Sequence, residues 1–365
     1  MSERDDERGL LEERYRRWLR LLPASYRAER EEEMVAAFMD GARRAPAGHD
    51  DQRPRLLEIA SVAALALRLR LGGPGSPPGA YLWGETVRLA ALLGLVFWTT
   101  IAGLYAGQAV LTYGIPADAL PDGVMGIGDP ESPDRARLVL ADLTPLLWAV
   151  SLGALARGRA RTAKAAAVAA LVVPCVLVPP PMTEWENAVR WACSLLPAVV
   201  PALALLTGFH RAAPPPRLPA RRARLLLALP VAAGLLLSLV VGVLGAATRA
   251  ATRAGIPSEE LLVAAWMWAD TTGLASVSLA AVAVWCALRH RTPGRSAGPV
   301  ALAAAILAVP AVLARAGTMP GMTGVTFLTA TLQLAVLVAS GIALVVIGVR
   351  ALRAADPGLT ALRAP

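Results

Sequence analysis

Eight apolar stretches follow one another at about residues 87–111, 138–156, 165–179, 192–209, 225–247, 261–288, 298–315 and 326–349. A helix needs about 20 residues to cross a ~30 Å hydrocarbon core, and most of these stretches reach that length. The third, closed by Pro179-Pro180-Pro181, is the shortest. The pattern predicts an all-α, polytopic integral membrane protein with eight transmembrane helices and a small helical domain in front. Composition agrees: 56% of residues are hydrophobic, against about 45–50% in soluble domains, and mean hydropathy is +0.52.

The isoelectric point near 10.4 invites a nucleic-acid reading. The positions of the basic residues exclude it, because they gather in short loops on one side of the spans. With a cytoplasmic N-terminus, the inner loops carry Arg157, Arg159, Arg161 and Lys164, then Arg211, Arg217, Arg221, Arg222 and Arg224, then Arg289, Arg291 and Arg295. Arg350 and Arg353 follow the last span. The outer loops carry acids: Asp118, Asp122, Asp129, Glu131 and Asp134, then Glu184 and Glu186, then Glu259 and Glu260. Arg249 and Arg253 are the exceptions. The expected location is a bacterial plasma membrane, crossed several times, with both termini cytoplasmic. Arg, Ala, Leu, Gly and Pro abound beside a single lysine, as a high-GC genome produces. The first apolar run begins only after roughly 80 residues, so no signal peptide is expected and the first span serves as insertion signal.

Residues 1–71 are charged and helical in pattern. Leu11, Tyr15, Trp18 and Leu22 fall on one helical face, and Pro23 ends that helix. Ser25 is the expected N-cap of the next, which is acidic early and then presents Met34, Val35, Phe38 and Met39. A third helix over 55–71 places Leu56, Ile59, Ala63 and Leu67 on one side. The string Arg14-Tyr15-Arg16-Arg17-Trp18-Leu19-Arg20-Leu21-Leu22-Pro23, with Tyr26-Arg27-Ala28-Glu29 and Glu32-Glu33-Met34, resembles a bacterial permease-prefix, or HAAS-like, cytosolic domain. That domain precedes ABC-type permeases and a group of signalling membrane proteins often encoded beside PadR-like regulators. The resemblance implies a cytosolic protein partner for residues 1–71, a regulator or an ATPase subunit. The chain departs from the permease pattern in lacking a large extracytoplasmic domain between its first two spans.

The membrane part reads as two units of four helices in the same order. Gly114-Ile115-Pro116 recurs as Gly255-Ile256-Pro257, Ala141-Asp142-Leu143-Thr144 as Ala269-Asp270-Thr271-Thr272, and Leu171-x-Val173-Pro174-x-Val176-Leu177 as Leu307-x-Val309-Pro310-x-Val312-Leu313. Four spans per unit is an even number, so the repeats would insert in parallel. The expected divisions are a cytosolic domain at 1–71, a Gly/Pro-rich linker at 72–86, membrane units at 87–211 and 212–352, and a cytosolic tail at 353–365. Pro174 and Pro310 are fixed bends or hinges, and Gly103-x3-Gly107 permits close helix approach. Trp83, Trp185, Trp191 and Trp285 fall near span ends, as interfacial anchors do.

Charged residues inside spans carry the functional reading. Asp142 and Asp270 are the candidates for an intramembrane polar site, with Thr144 and Thr272 two residues on and Arg190 and Arg315 as charge partners. Counting from Arg137 and Glu260, Asp142 lies roughly 7 Å and Asp270 about 15 Å along its helix, at ~1.5 Å per residue. Two residues is half a helical turn, so continuous helices would not let either threonine face its own aspartate. The site is either a proton, cation or polar-ligand site or a structural ion pair. No Walker loop, HExxH or GxSxG string is present, the three histidines follow polar or Arg-rich segments, and Cys175, Cys193 and Cys286 lack metal-ligand spacing. No enzymatic activity, metal or cofactor is expected. Two function classes remain: a sensory or regulatory membrane protein with a docking domain, or a transporter or transporter subunit with a pathway between the repeats.

Overall fold

The computed structural model describes residues 3–44, 56–72, 78–113, 133–177, 185–210, 213, 215, 217–254, 259–290 and 297–355. Among them the helices are α1 (Glu3–Leu19), α2 (Ala24–Arg44), α3 (Leu56–Arg70), α4 (Pro78–Tyr113), α5 (Pro133–Leu143), α6 (Leu146–Ala156), α7 (Ala160–Leu177), α8 (Trp185–Gly208), α9 (Ala220–Arg253), α10 (Glu259–Ala269), α11 (Thr271–His290), α12 (Gly298–Thr318) and α13 (Gly324–Ala355). No strand occurs among the described residues. The chain divides into two compact units, Met1–Glu85 with His210–Ala213, and Thr86–Phe209 with Pro214–Pro365.

In the first unit α1, α2 and α3 share a small core around Leu19, Leu22, Val35, Val62, Ala66 and Leu69. Tyr15 stacks on Phe38 with ring centroids 4.0 Å apart. Three details differ from the sequence reading. The buried seam runs through Tyr15 and Leu19 on α1 and Leu22 just beyond its end, while Trp18 is exposed. On α3 the buried residues are Val62, Ala66 and Leu69, and Leu67 is exposed. An Ala/Leu-rich helix offers adjacent apolar stripes one residue apart, about 100° round the axis, and the neighbouring helices select one. Ser25 is inside α2; the Pro23 carbonyl accepts from the Arg27 N–H at 3.1 Å, so Pro23 holds the cap position. Across the surface, Arg16 donates to Glu32 at 2.8 Å and to Glu12 at 2.9 Å. Those bonds hold the Glu32 carboxyl below its ordinary value. Burial, helped by the nearby Glu58 carboxylate, pushes the Tyr15 phenol up.

The second unit holds the membrane bundle. Among the described residues, 8 helical stretches are long and apolar enough to span a membrane. Two of the predicted spans are broken. The second is interrupted between α5 and α6, where Thr144-Pro145 forms a turn, and the sixth is interrupted at Asp270 between α10 and α11. Both interruptions fall at the recurring Ala-Asp-x-Thr strings. Pro174 and Pro310 lie inside α7 and α12, which continue through them. The Gly114-Ile115-Pro116 and Gly255-Ile256-Pro257 landmarks lie outside the described residues, as do Pro179-Pro180-Pro181 and His49.

Side-chain spacing explains how the helices meet. A Cβ on Gly103 would lie 2.6 Å from the Val231 carbonyl oxygen, and one on Gly107 only 2.3 Å from Ser238 Oγ. Numbers rise together on both helices, so α4 and α9 run parallel with backbones in contact. Gln108 closes the same seam by donating to the Ser238 carbonyl at 3.1 Å. By contrast α8 runs antiparallel to α4: Trp98 donates to the Pro197 carbonyl at 2.9 Å, and Gly94 and Gly208 meet Pro201 and Arg88. Parallel packing of α4 on α9 requires an odd number of crossings between them, which α5/α6, α7 and α8 supply. Helix α12, alanine-rich and the most enclosed, packs on α8, α11 and α13. Cys193 of α8 fills the gap beside Gly317 of α12, and all three cysteines are free thiols. Trp83, Trp185 and Trp285 are exposed, as side chains at a lipid interface are, and Trp191 is half-buried.

Candidate functional site

Asp270 organises the polar site. Its Oδ1 accepts from the Gly273 backbone N–H at 2.6 Å and from the Thr272 hydroxyl at 2.7 Å. These bonds make it the N-cap of α11 and explain the helix break: a carboxylate at that position satisfies amide donors that no preceding turn can reach. The break also brings Thr272 onto its own aspartate, which a continuous helix would not allow. Gly273 is required here, because a Cβ would lie 2.2 Å from the Met267 carbonyl oxygen.

Arg315, in the last turn of α12, completes the pair. Its Nη2 donates to Oδ2 at 2.8 Å and to Oδ1 at 3.1 Å. The guanidinium side is 2% exposed and the carboxylate side 42%, so the pair straddles a buried wall and an open rim. Arg315 Nε is buried with no hydrogen-bond partner. Because α11 by itself has 20 residues, about 30 Å at ~1.5 Å per residue, Asp270 stands at the end of a full span. The 15 Å depth counted from Glu260 assumed one helix through α10 and α11, and the cap at Asp270 removes that assumption.

The other candidates distribute as follows. Asp142 is half-buried near the C-terminus of α5. Tyr105 of α4 ties the two strings together: its hydroxyl hydrogen-bonds with Thr271, and the Asp142 and Asp270 carboxylates both act on it electrostatically. Thr144 is buried and donates to the Leu140 carbonyl at 2.8 Å, closing its own helix end. Arg190 donates to the Pro320 carbonyl at 3.2 Å and pairs with neither aspartate. Sequence reasoning missed Tyr105 and also Gln333, a fully buried residue of α13 that donates to the Met267 carbonyl at 2.9 Å. Each was visible as a polar side chain inside an apolar run.

Directly below this cluster lies a cavity of about 290 Å³. Ile101 on α4, Leu274 on α11 and Ala311 on α12 are among its lining residues. Tyr105, Asp270 and Arg315 each stand four residues from one of these, one turn along the same helical face. They form its roof. The walls are apolar: Phe97 from α4, Pro197 from α8, Leu279 from α11 and Leu307 from α12, with Ser278 and Thr100 as the hydroxyls. The Thr100 hydroxyl is engaged with the Val96 carbonyl at 3.1 Å. The chamber thus sits between helices of the N-terminal and C-terminal halves of the bundle. Among the described residues no cluster of metal-ligating side chains occurs.

Eight helical stretches long and apolar enough to span a membrane define the class: an all-α, multi-pass integral membrane protein. Comparison with protein-family models, with curated proteins and with solved structures gave no match.

Proposed function

We propose that this is a non-enzymatic sensory or regulatory protein of the bacterial plasma membrane. Its bundle takes up a small apolar ligand between its two halves, and its N-terminal three-helix unit meets a soluble partner. The chamber under the Asp270–Arg315 pair is the observation that carries this reading. It is a single apolar compartment with few polar groups, the form of a ligand pocket and not of a water-filled path. The aspartate is already engaged by four hydrogen bonds, two of them from a guanidinium that neutralises its charge. Residues 1–71, resembling the permease-prefix domain, carry separate acidic and basic surface stretches suited to protein recognition. The Arg-rich loops favour cytoplasmic termini, and a helix break within three residues of each recurring aspartate favours a duplicated four-helix unit.

The test joins both ends of the chain. Photo-cross-linking from Arg20 and Glu33 in cells should capture one defined soluble protein, and its yield should change when Ala275→Phe fills the chamber. No captured protein, with deletion of 1–71 leaving all phenotypes intact, overturns the reading.

Transport has one observation in its favour: both second spans break at an Asp-containing string, and discontinuous helices build the binding sites of many transporters. Substrate accumulation in vesicles that is abolished by Asp270→Asn at normal protein levels would select that reading.

A further inference from the structure

We propose that one edge of the N-terminal unit, formed by the ends of α1 and α3, lies on anionic lipid headgroups at the leaflet where α4 enters the membrane. This goes beyond the soluble partner proposed above and uses a different face of the unit. The first support is continuity with a span. The end of α3 is fastened to the start of α4: a Cβ on Gly84 would run into the Leu71 carbonyl oxygen, and one on Gly72 would lie 3.0 Å from Tyr81 Cα. Both contacts fall on the opening turns of the span that begins at Ala80. Along α4 an uncharged run starts at Leu89 and continues to Tyr113. Gly84 precedes Leu89 by five residues, about 7 Å at ~1.5 Å per residue. Headgroups occupy about 5–7 Å on each side of the hydrocarbon core, so the end of α3 is held at their level.

Chemistry is the second support. Arg70 Nη2 donates to the Leu21 carbonyl at 3.0 Å, and the Leu21 N–H donates to the Trp18 carbonyl at 3.1 Å, so the ends of α1 and α3 form one edge. Large apolar side chains stand exposed on it: Trp18, Leu21 and Leu67, with Tyr81 beside Gly72. Among them are the exposed guanidiniums of Arg17, Arg68 and Arg70. No acid occurs from Ile59 to Gly72, and Glu13 of α1 is taken up by Arg17 at 2.7 Å. Apolar and aromatic bodies interleaved with arginines make an interfacial surface: the bodies enter the headgroup boundary while the guanidiniums meet phosphates. Polarity of the unit is the third support. Arg16, about half a helical turn from Trp18, donates to Glu32 of α2 at 2.8 Å. The acidic turns of α2 are thus attached to the opposite side of α1, away from an anionic surface and open to a soluble partner.

The experiment uses the full-length protein in nanodiscs of equal parts phosphatidylglycerol and phosphatidylcholine. A photoreactive phenylalanine is placed in turn at Trp18, Leu67 and Glu33, and lipid adducts are counted by mass spectrometry after illumination. Trp18 and Leu67 should form adducts, with phosphatidylglycerol at least threefold over phosphatidylcholine, and Glu33 should form at least tenfold fewer. Arg17→Gln combined with Arg68→Gln should bring the two lipids to parity. High salt should lower the same preference with no substitution at all, because it screens exposed charges. Equal adducts of the two lipids in the native sequence overturn the anionic assignment, and absence of lipid adducts at both Trp18 and Leu67 overturns the docking itself. A soluble protein captured from Leu67 in cells in place of lipid also overturns the proposal, by giving that edge to a protein.

Discussion

Arg315 and Asp270 meet end to end across two antiparallel spans, with Nη2 forked over both carboxylate oxygens at 2.8 and 3.1 Å. The same carboxylate caps α11, so one side chain starts a helix and neutralises a buried cation. Each role constrains the other, because the cap fixes where the carboxylate points.

That double role predicts an ordered mutational series. Asp270→Leu removes cap and counter-charge together and leaves Arg315 buried alone. Breaking a buried pair costs about 3–5 kcal/mol, and the open carboxylate side lowers the expected loss to about 2–3 kcal/mol. Asp270→Asn keeps the cap and should lose about half as much. Combining Asp270→Leu with Arg315→Met removes the stranded cation and should recover most of the loss seen with Asp270→Leu alone. Thermal melting in detergent checks the order, and equal melting of all variants would sink the account.

The α4–α9 seam makes a steric prediction. A Cβ on Gly234 would lie 2.0 Å from the Thr100 carbonyl oxygen, a backbone atom that cannot move aside. Gly234→Val should abolish folded accumulation in the membrane. At Gly341 the nearest atom is the Ala308 Cβ at 3.4 Å, an ordinary contact, so Gly341→Ala should accumulate within twofold of the native protein. Size-exclusion profiles of fluorescent fusions distinguish the two.

Topology follows from contacts at the two ends of the bundle. Lys164 donates to the Leu206 carbonyl at 2.6 Å, which places the α6–α7 and α8–α9 junctions at one end. Arg190 and Pro320, and Cys193 and Gly317, place the α12–α13 turn at the other. Reporter fusions at Thr162 and Leu218 should therefore agree with each other and oppose a fusion at Gly321. Agreement of all three would remove the eight-span arrangement.

The first unit should lose protection in acid and in strong base. Arg16 lowers the Glu32 carboxyl pKa in the folded state. That contribution is complete above the ordinary carboxyl value near 4.5 and disappears as pH falls through the folded value. The Tyr15 phenol is raised, so its contribution is complete below the ordinary value near 10.0 and is lost as pH climbs through the folded value. Hydrogen-exchange protection factors over residues 3–44 of the full-length chain, corrected for the intrinsic pH dependence of exchange, should be highest near neutral pH. Glu32→Gln should flatten the acidic limb, and Tyr15→Phe the basic one.

The spans were legible because twenty apolar residues in a row leave a backbone no alternative to a helix in lipid. The break in the second span was half legible: Pro145 sits inside an apolar run, and a proline there cannot donate to the preceding turn. The break at Asp270 had no glycine or proline at that position to announce it. It depends on Asp270 turning back to the Gly273 amide, and on Arg315 arriving from 45 residues away. Arg315 could be nominated from its place near a span end, whereas the bond from Arg190 to Pro320 depends on how α8 and α12 are staggered. In α3 periodicity gave a helix but not its buried stripe, since Ala66 and Leu67 are both apolar and only packing chooses Ala66.

The Gly103 and Gly107 surface has a mechanical meaning. Where α4 and α9 touch through bare backbone there is no layer of side chains to slide or compress, so that line acts as a fulcrum. Any change in the chamber's width would then fall on its other walls, α8, α11 and α12. The Asp270–Arg315 pair joins the ends of α11 and α12, and would carry them as one lever.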